Sequence, residues 1–235
     1  MIEKKGYMNT HESKSFQRIY KEFIDTILNK YCQPHLDVCS LGCYNDDLVG
    51  QISFKTLTLV DRQFGPCKCD YPQLKDVYFN VLDILDFIHE TDETFDVVIM
   101  TTVVEHLYQH QRHEIFINLK KILKPGGVFI LTYPNAFSVN RLLGTQLGFL
   151  PNPSFLTSRD IEVGHIQMYG IRDLEYFKNE LEMNLIQQIG IMFKPLSHEQ
   201  MSRYFNEDLD IFIEIGYDLG PNATSYIGGV FKNVL

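Results

Sequence analysis

The sequence has no excess of basic residues. Its 235 residues include 21 Lys and Arg against 30 Asp and Glu, which gives a net charge of −9 at pH 7. Proteins that hold nucleic acid by bulk charge need a basic surface. The composition therefore argues against nucleic acid as a partner, although it leaves a local basic patch open.

Long apolar runs are also missing. No uninterrupted run approaches the roughly 20 residues of a membrane span, and the start of the chain lacks the apolar core of a secretory signal. The five cysteines are an odd number, so we expect reduced thiols. Cys67 and Cys69 form a lone Cys-x-Cys without the second pair that a zinc site needs. We predict a cytoplasmic protein with no membrane partner.

The apolar pattern predicts strands that alternate with helices. Helical spacing runs over residues 12–31, around Ile115 and over residues 171–181. Seven segments are predicted as strands: residues 36–41, 55–61, 77–83, 94–102, 126–134, 184–193 and 224–232. Several are continuously apolar, which suits a sheet covered on both faces. The pattern predicts an α/β protein, a doubly wound, mostly parallel seven-stranded sheet, in one domain over residues 1–235.

Residues 135–170 interrupt this pattern after the fifth strand. The segment is long, punctuated by Gly and Pro, and partly apolar. Such segments in compact domains are often lids or binding loops, so we predict a cap or insertion. Its apolar residues could equally line a ligand pocket, form the cap's own core or make a dimer surface. The sequence leaves the oligomeric state open, a homodimer included.

Carboxylates stand at the ends of the predicted strands. Gly42 follows the first strand, Asp61 ends the second 19 positions later, and Asp83 ends the third with Ile84 after it. Ligands of open α/β sheets bind beyond the carboxyl ends of the strands, and an acid about 20 residues after the glycine turn suits a ribose diol. A carboxylate beside an apolar side chain suits an adenine ring. Together they predict an adenosine-type ligand.

The turn after the first strand lacks the glycines of a phosphate-binding loop. Tyr44 and Asp46 stand where such a loop needs glycine for close approach to a diphosphate. These residues argue against NAD, FAD and ATP, and favour an adenosine ligand without a diphosphate.

The order "VCSLGCYND", "LTLVD", "NVLDI", "FDVVIMTTVVEHL" and "LKKILKPGGVFILTYPN" resembles the class I S-adenosylmethionine-dependent methyltransferases. The resemblance covers residues 36–135, and its most specific part is "EHL" followed by "LKKILKPGG", as in the small-molecule branch. It implies a Rossmann-like methyltransferase fold and S-adenosyl-L-methionine as cofactor.

Carried over position by position, the resemblance implies functional residues. Those implied to bind the cofactor are Gly42, Cys43, Tyr44, Asp61, Arg62, Asp83, Ile84, Thr101 and Thr102. Glu105 and His106 match the rim of the acceptor site. The sequence departs from the family pattern at Ser40, Tyr44 and Asp46. These departures affect the predicted contacts with the methionine part of the cofactor.

A hydroxyl acceptor would need a base, and histidine suits neutral pH. His106, His165 and Glu105 are the catalytic candidates. The alternative for His106 is a helix-start residue satisfied by backbone, and for His165 a loop residue that stabilises its own turn. Some relatives bind a divalent metal through Glu-x-x-Glu-His. Here Thr102 replaces the first Glu, so we predict no metal.

The resemblance implies an enzyme that methylates a small-molecule acceptor. Similarity of the cap region to enzymes of glycan and natural-product pathways favours O-methylation of a sugar or related precursor, by analogy. Arg141, Arg159 and Tyr169 are predicted acceptor contacts, the arginines for a phosphate or carboxylate. Two alternatives stay open: an RNA-end methyltransferase, and a non-catalytic relative that binds the nucleoside.

Overall fold

The computed structural model describes residues 14–43, 50–63, 75–205 and 208–234. Tyr44, Asp46, Cys67 and Cys69 lie outside these residues. The described chain forms a seven-stranded sheet with the order β3-β2-β1-β4-β5-β7-β6. The strands are β1 Asp37–Leu41, β2 Thr56–Val60, β3 Val77–Asn80, β4 Phe95–Thr101, β5 Leu123–Pro134, β6 Asn184–Phe193 and β7 Thr224–Lys232. Only the β5–β7 and β6–β7 pairs of this sheet are antiparallel, so the predicted fold class is confirmed.

Helices flank both faces of the sheet. They are α1 Lys14–Phe23, α2 Ile84–Glu90, α3 Gln109–Asn118, α4 Val139–Gln146, α5 Ser158–Glu162, α6 Asp173–Leu181, α7 His198–Tyr204 and α8 Leu209–Leu219. The first continues through a π-helical turn, Ile24–Leu28, into a last turn, Asn29–Tyr31. Within the described part of the chain, no helix is long and apolar enough to cross a membrane.

Alternate residues of the strands serve two separate cores. Val38 and Leu57 face a buried cluster with α1, α7 and α8. Cys39 and Val60 face a second cluster with α2, α3 and α6. Because successive side chains of a strand point to opposite faces, strands covered on both sides are apolar throughout.

Three details differ from the sequence-based prediction. The third strand ends at Asn80, and Asp83 instead caps α2, where its Oδ1 accepts a hydrogen bond from Leu85 N at 3.0 Å. The Lys-Pro-Gly-Gly segment does not end α3 but lies within β5. Helices α2, α4, α5, α7 and α8 were not predicted, although Ser197 caps α7 and the spacing of Leu209, Phe212 and Ile213 in α8 is helical.

The segment 135–170 leaves and re-enters the fold at adjacent points. Asn135 and Tyr169 form a parallel bridge, and Ala136 N donates to Tyr169 O at 2.7 Å. Helices α4 and α5 lie between these points. The segment is therefore a loop closed at its base, placed beyond the carboxyl end of β5.

Candidate active site

The carboxyl ends of six strands meet at one edge of the sheet. Strands β1 to β5 are parallel, and β6 runs with them because both β5 and β6 are antiparallel to β7. Two adjoining pockets lie at this edge. Thr102, His106 and Val163 line both of them.

The first pocket lies beyond β1 and β2. Six residues predicted to bind the cofactor line it: Gly42, Asp61, Arg62, Asp83, Ile84 and Thr102. Of the other three, Tyr44 lies outside the described residues. Cys43 places its Sγ 3.6 Å from Val60 O, and Thr101 has a buried Oγ1 with no hydrogen-bond partner among the described residues. Neither is among the residues that line this pocket.

Gly42 is required at the turn after β1. Its φ is +74°, in the left-handed region that favours glycine, and its N–H donates to Val60 O at 2.8 Å. A Cβ at this position would lie 2.6 Å from Cγ2 of Val103. The absent side chain thus lets β4's loop pack against the turn and leaves backbone at the pocket wall.

Two carboxylates of the first pocket are oriented by their own turns. Asp61 Oδ1 accepts from Gln63 N at 2.7 Å. Asp83 uses one oxygen as the cap of α2, and its Oδ2 lies 3.5 Å from Arg62 Nε. The cap explains why Asp83 stands at this position whether or not it binds a ligand.

Thr102 holds a strained conformation at the tip of β4. Its φ is +53°, which is an outlier for a β-branched side chain, and its N–H donates to Thr132 O at 2.9 Å. Strain of this kind clusters at ligand sites, where the surrounding structure maintains it. Thr102 lies where the two pockets meet.

The second pocket contains a buried carboxyl group, Glu105. Its side chain is 1% exposed, and neither carboxylate oxygen has a hydrogen-bond partner within the described chain. Burial raises the pKa of Glu105 to about 7, although the charge of His165 opposes this shift. Glu105 can therefore gain or lose a proton near neutral pH.

His165 lies between two acids. Its Nε2 is 3.9 Å from Glu105 Oε1, and its Nδ1 is 3.3 Å from Asp160 Oδ1 without a hydrogen bond's alignment. Burial raises the pKa of Asp160, but contacts with His165 and Thr157 and the charge of Arg141 outweigh it and hold this pKa below its usual range. A charged Asp160 favours the tautomer of His165 with its proton on Nδ1.

His106 packs edge-on against His165, with ring centroids 4.8 Å apart. Burial, together with the charge of His165, lowers the pKa of His106 to about 4. His106 is therefore neutral at neutral pH.

The cap loop is fastened to the loop after β4. Ile166 N donates to Glu105 O at 2.9 Å, and Gln167 Nε2 donates to Leu107 O at 2.6 Å. His165 N donates to Asp160 O at 2.8 Å. These bonds bring the three predicted catalytic residues together although His165 lies 60 positions after Glu105.

The same three residues could hold a cation. One ligand atom each of Glu105, His106 and His165 lies within 4.8 Å of the others. A nitrogen and oxygen ligand set of this kind suits several divalent metals, but three ligands leave the set without the acid that Thr102 replaces. The prediction of no metal stays a prediction.

The predicted acceptor contacts differ in position. Arg141 and Arg159 line the second pocket. Tyr169 does not, because it is buried in the core, where its hydroxyl accepts a hydrogen bond from Arg112 Nη1 at 3.0 Å. The sequence-based interpretation also missed Asp160, Lys194 and His198, which line this pocket. The rule that strand ends meet at one edge would have identified Lys194, which follows β6 directly.

A family model described as a methyltransferase domain matches residues 12–187. No curated protein matches the sequence significantly.

Solved structures with the same fold include three methyltransferases of different specificity. N-methyltransferase NodS from Bradyrhizobium japonicum, solved with S-adenosyl-L-homocysteine, is 14% identical over 97% of this chain and 92% of its own, with a TM-score of 0.57. The Burkholderia thailandensis 1,6-didemethyltoxoflavin-N1-methyltransferase is 9% identical over 95% and 80%, with a TM-score of 0.60. Geranyl diphosphate C-methyltransferase from Streptomyces coelicolor is 12% identical over 93% and 77%, with a TM-score of 0.58. At these identities the likeness establishes the fold.

Proposed function

The chain belongs to the methyltransferase domain family, and we propose that it transfers the methyl group of S-adenosylmethionine to a hydroxyl oxygen of a small molecule, a sugar or a related glycan or natural-product precursor. The observation that carries this proposal is the meeting of the two pockets at Thr102, His106 and Val163. One pocket suits a nucleoside, and the other presents a base to the same junction.

The first pocket fits the cofactor. Gly42 has no side chain, and a Cβ at this position would clash with Val103. A ligand can therefore approach the backbone of the turn closely. In the proposed arrangement Asp61 accepts hydrogen bonds from the ribose hydroxyls, and Asp83 and Ile84 read and cover the adenine. S-adenosylmethionine, when bound, supplies a methyl group that its positively charged sulfur already activates.

The remaining residues that the resemblance implies take lesser roles in this proposal. Backbone of Cys43 continues the turn, Arg62 borders the ribose side, and Thr101 and Thr102 offer backbone to the methionine end. Tyr44, outside the described residues, stays a sequence-based assignment. Thr102 is the one of these that lines both pockets.

The second pocket fits a hydroxyl acceptor because it holds a base. With Asp160 favouring a proton on Nδ1, His165 has its Nε2 lone pair ready to accept the proton of a hydroxyl. Glu105, 3.9 Å from that Nε2, would stabilise the imidazolium that forms. A carboxylate or phenolate acceptor would not need this pair, so its presence favours an alcohol.

His106 contributes position in this mechanism. It is neutral, stands at the junction and packs edge-on against His165. Aligning reactants and excluding water is worth about 7–11 kcal/mol of barrier in well-oriented reactions, which is the main task left to the protein.

Calorimetry with S-adenosylhomocysteine tests the cofactor half. We expect binding to the native protein and its loss in Asp61→Ala, whereas Asp92→Ala, an exposed acid between α2 and β4, should bind as the native protein does. At 100 times the dissociation constant the ligand should stabilise the fold by about 2.7 kcal/mol. Unchanged binding by Asp61→Ala would overturn the assignment of the first pocket.

A mass-spectrometric screen of candidate acceptors with S-adenosylmethionine tests the other half. Methylated sugars or sugar-like alcohols are the expected products. Methylation of RNA ends, with a gel shift at physiological salt, would favour the RNA alternative, and cofactor binding without any product would favour the non-catalytic one. Cytoplasmic location remains a sequence-based proposal, and the oligomeric state stays open, a homodimer included.

A further inference from the structure

Lys194 is a buried cation in the wall of the second pocket. It follows β6 directly, is 8% exposed, and has no hydrogen-bond or ion-pair partner among the described residues. A buried ammonium without a close partner is costly, because it loses hydration and no direct contact replaces the lost water.

The other cations of this pocket already have partners. Arg141 Nη1 lies 3.3 Å from Asp160 Oδ2, and its Nε donates to Pro153 O at 2.7 Å. Arg159 Nη1 lies 2.9 Å from Glu162 Oε2. Of the Lys and Arg residues that line this pocket, Lys194 is therefore the one without a direct partner among the described residues, although the chain as a whole is acidic.

The groups that face Lys194 do not remove its charge. Burial and the positive charge of Arg141 lower the pKa of Lys194 to about 8, while Asp160 acts in the opposite direction. Since this value stays above 7, the ammonium form predominates at neutral pH. Burial and Lys194 hold the pKa of His198, on α7, well below its usual range, so His198 is neutral.

We infer that the acceptor is an anion whose carboxylate or phosphate group pairs with Lys194 while its hydroxyl lies at the His165–Glu105 pair. The inference rests on the proposed function, since it assigns both groups to one molecule in the second pocket. It narrows the substrate class to acidic alcohols, such as sugar acids or sugar phosphates. Burial of the Lys194 ammonium costs free energy of folding. An anionic group of the acceptor offsets this cost, so Lys194 selects acidic ligands over neutral ones.

The test measures anion binding to the protein saturated with S-adenosylhomocysteine. The probes are inorganic phosphate, acetate and uncharged glycerol, and the readout is the NMR titration of lysine side chains labelled with ¹³C and ¹⁵N. We expect phosphate or acetate, and not glycerol, to raise the pKa of Lys194. Whichever anion acts at lower concentration identifies the chemical class of the acidic group.

Variants make the test specific. Lys194→Met should weaken anion binding at least about tenfold, which corresponds to 1.4 kcal/mol, and Lys194→Arg should retain most of it. Lys75→Met, a control at a lysine with 92% exposure, should bind as the native protein does. Equal anion affinity in the native protein and Lys194→Met, or no anion binding at all, would overturn the inference.

Cofactor binding separates the two proposals. If S-adenosylhomocysteine binds the native protein and Lys194→Met alike, the variant is folded, and a missing anion effect refutes only the acidic acceptor. If the native protein does not bind S-adenosylhomocysteine, the proposed function itself fails.

Discussion

The two edges of the sheet treat their charged residues in opposite ways. At the edge where the parallel strands begin, Lys124 Nζ lies 2.7 Å from both Asp37 Oδ2 and Asp96 Oδ2. Thr56 Oγ1 donates to Asp37 Oδ1 at 2.8 Å, and Asp37 N donates to Asp96 Oδ2 at 2.9 Å. Each of these three charges has a partner from another strand, so the network ties the starts of β1, β2, β4 and β5 together.

At the carboxyl edge, charged groups that are better buried lack such partners. Glu105 has two unsatisfied carboxylate oxygens, and Lys194 has no hydrogen-bond or ion-pair partner within the described chain, although the charge of Asp160 acts on it. Thr102 adds backbone strain. The named groups thus differ in burial, and they also differ in whether the fold itself supplies a partner. Groups that the fold leaves unsatisfied at one edge mark where a ligand must complete them.

Among the predictions that test this difference between the edges, the largest expected effect is on turnover. His165→Ala removes the proposed base and should lower turnover by about 10²- to 10⁴-fold, the usual contribution of a positioned general base. Affinity for S-adenosylhomocysteine should stay the same, because His165 does not line the first pocket.

His110→Ala serves as its control, since His110 is exposed on α3. The comparison is made with product formation by mass spectrometry and calorimetry on the same preparations. Normal turnover in His165→Ala would exclude it as the base and leave Glu105 as the candidate.

At the amino edge the expected effect is on stability. Lys124→Met leaves two carboxylates close together without their shared cation, so the free energy of unfolding should fall by about 2–3 kcal/mol. Urea denaturation at pH 7 measures this change. Affinity for S-adenosylhomocysteine should be unaffected, since the network lies at the opposite edge from both pockets. A variant as stable as the native protein would show that the network contributes nothing.

The sequence predicts which residues lie at the carboxyl edge better than it predicts the contacts that determine their chemistry. Apolar runs and the strand-end rule place Gly42, Asp61 and Asp83 together, and the structure has all three in the lining of one pocket, because successive parallel strands present their carboxyl ends to the same edge. The same rule would place Lys194 at this edge, but only once β6 is known to run parallel to β5, and the pairing of both strands with β7 depends on long-range packing. The contact of His165 with Glu105 depends on backbone bonds of the cap loop, which no local pattern reports.

Lowering the pH should weaken the network of Lys124, Asp37 and Asp96 and so reduce the stability of the fold. The hydrogen bond from Lys124 holds the pKa of Asp37 at about 2, although burial opposes it. Because the folded-state pKa lies below the unfolded value of about 3.9, the stabilisation is present above pH 4 and is lost as the pH falls toward 2. We expect about 1–2 kcal/mol of acid-dependent loss from this group after allowance for solvent screening.

Urea denaturation at pH values between 2 and 5 measures this loss, with Lys124→Met as the comparison. Its stability curve should be flatter than that of the native protein in this range. Parallel curves would show that Lys124 does not lower the pKa of Asp37 in the folded protein.

The smallest expected effect is an increase in stability, whereas the two preceding changes at the amino edge lower it. Lys194→Met replaces an ammonium that lacks a partner with an apolar side chain of similar length, so the ligand-free protein should gain about 1 kcal/mol of unfolding free energy. The same substitution at Lys124 should destabilise, and the two variants can be measured side by side by urea denaturation at pH 7. A loss of stability in Lys194→Met would mean that the folded chain already satisfies this charge. A gain accompanied by weaker phosphate or acetate binding would mean that stability at this edge is given up in exchange for recognition of an anion.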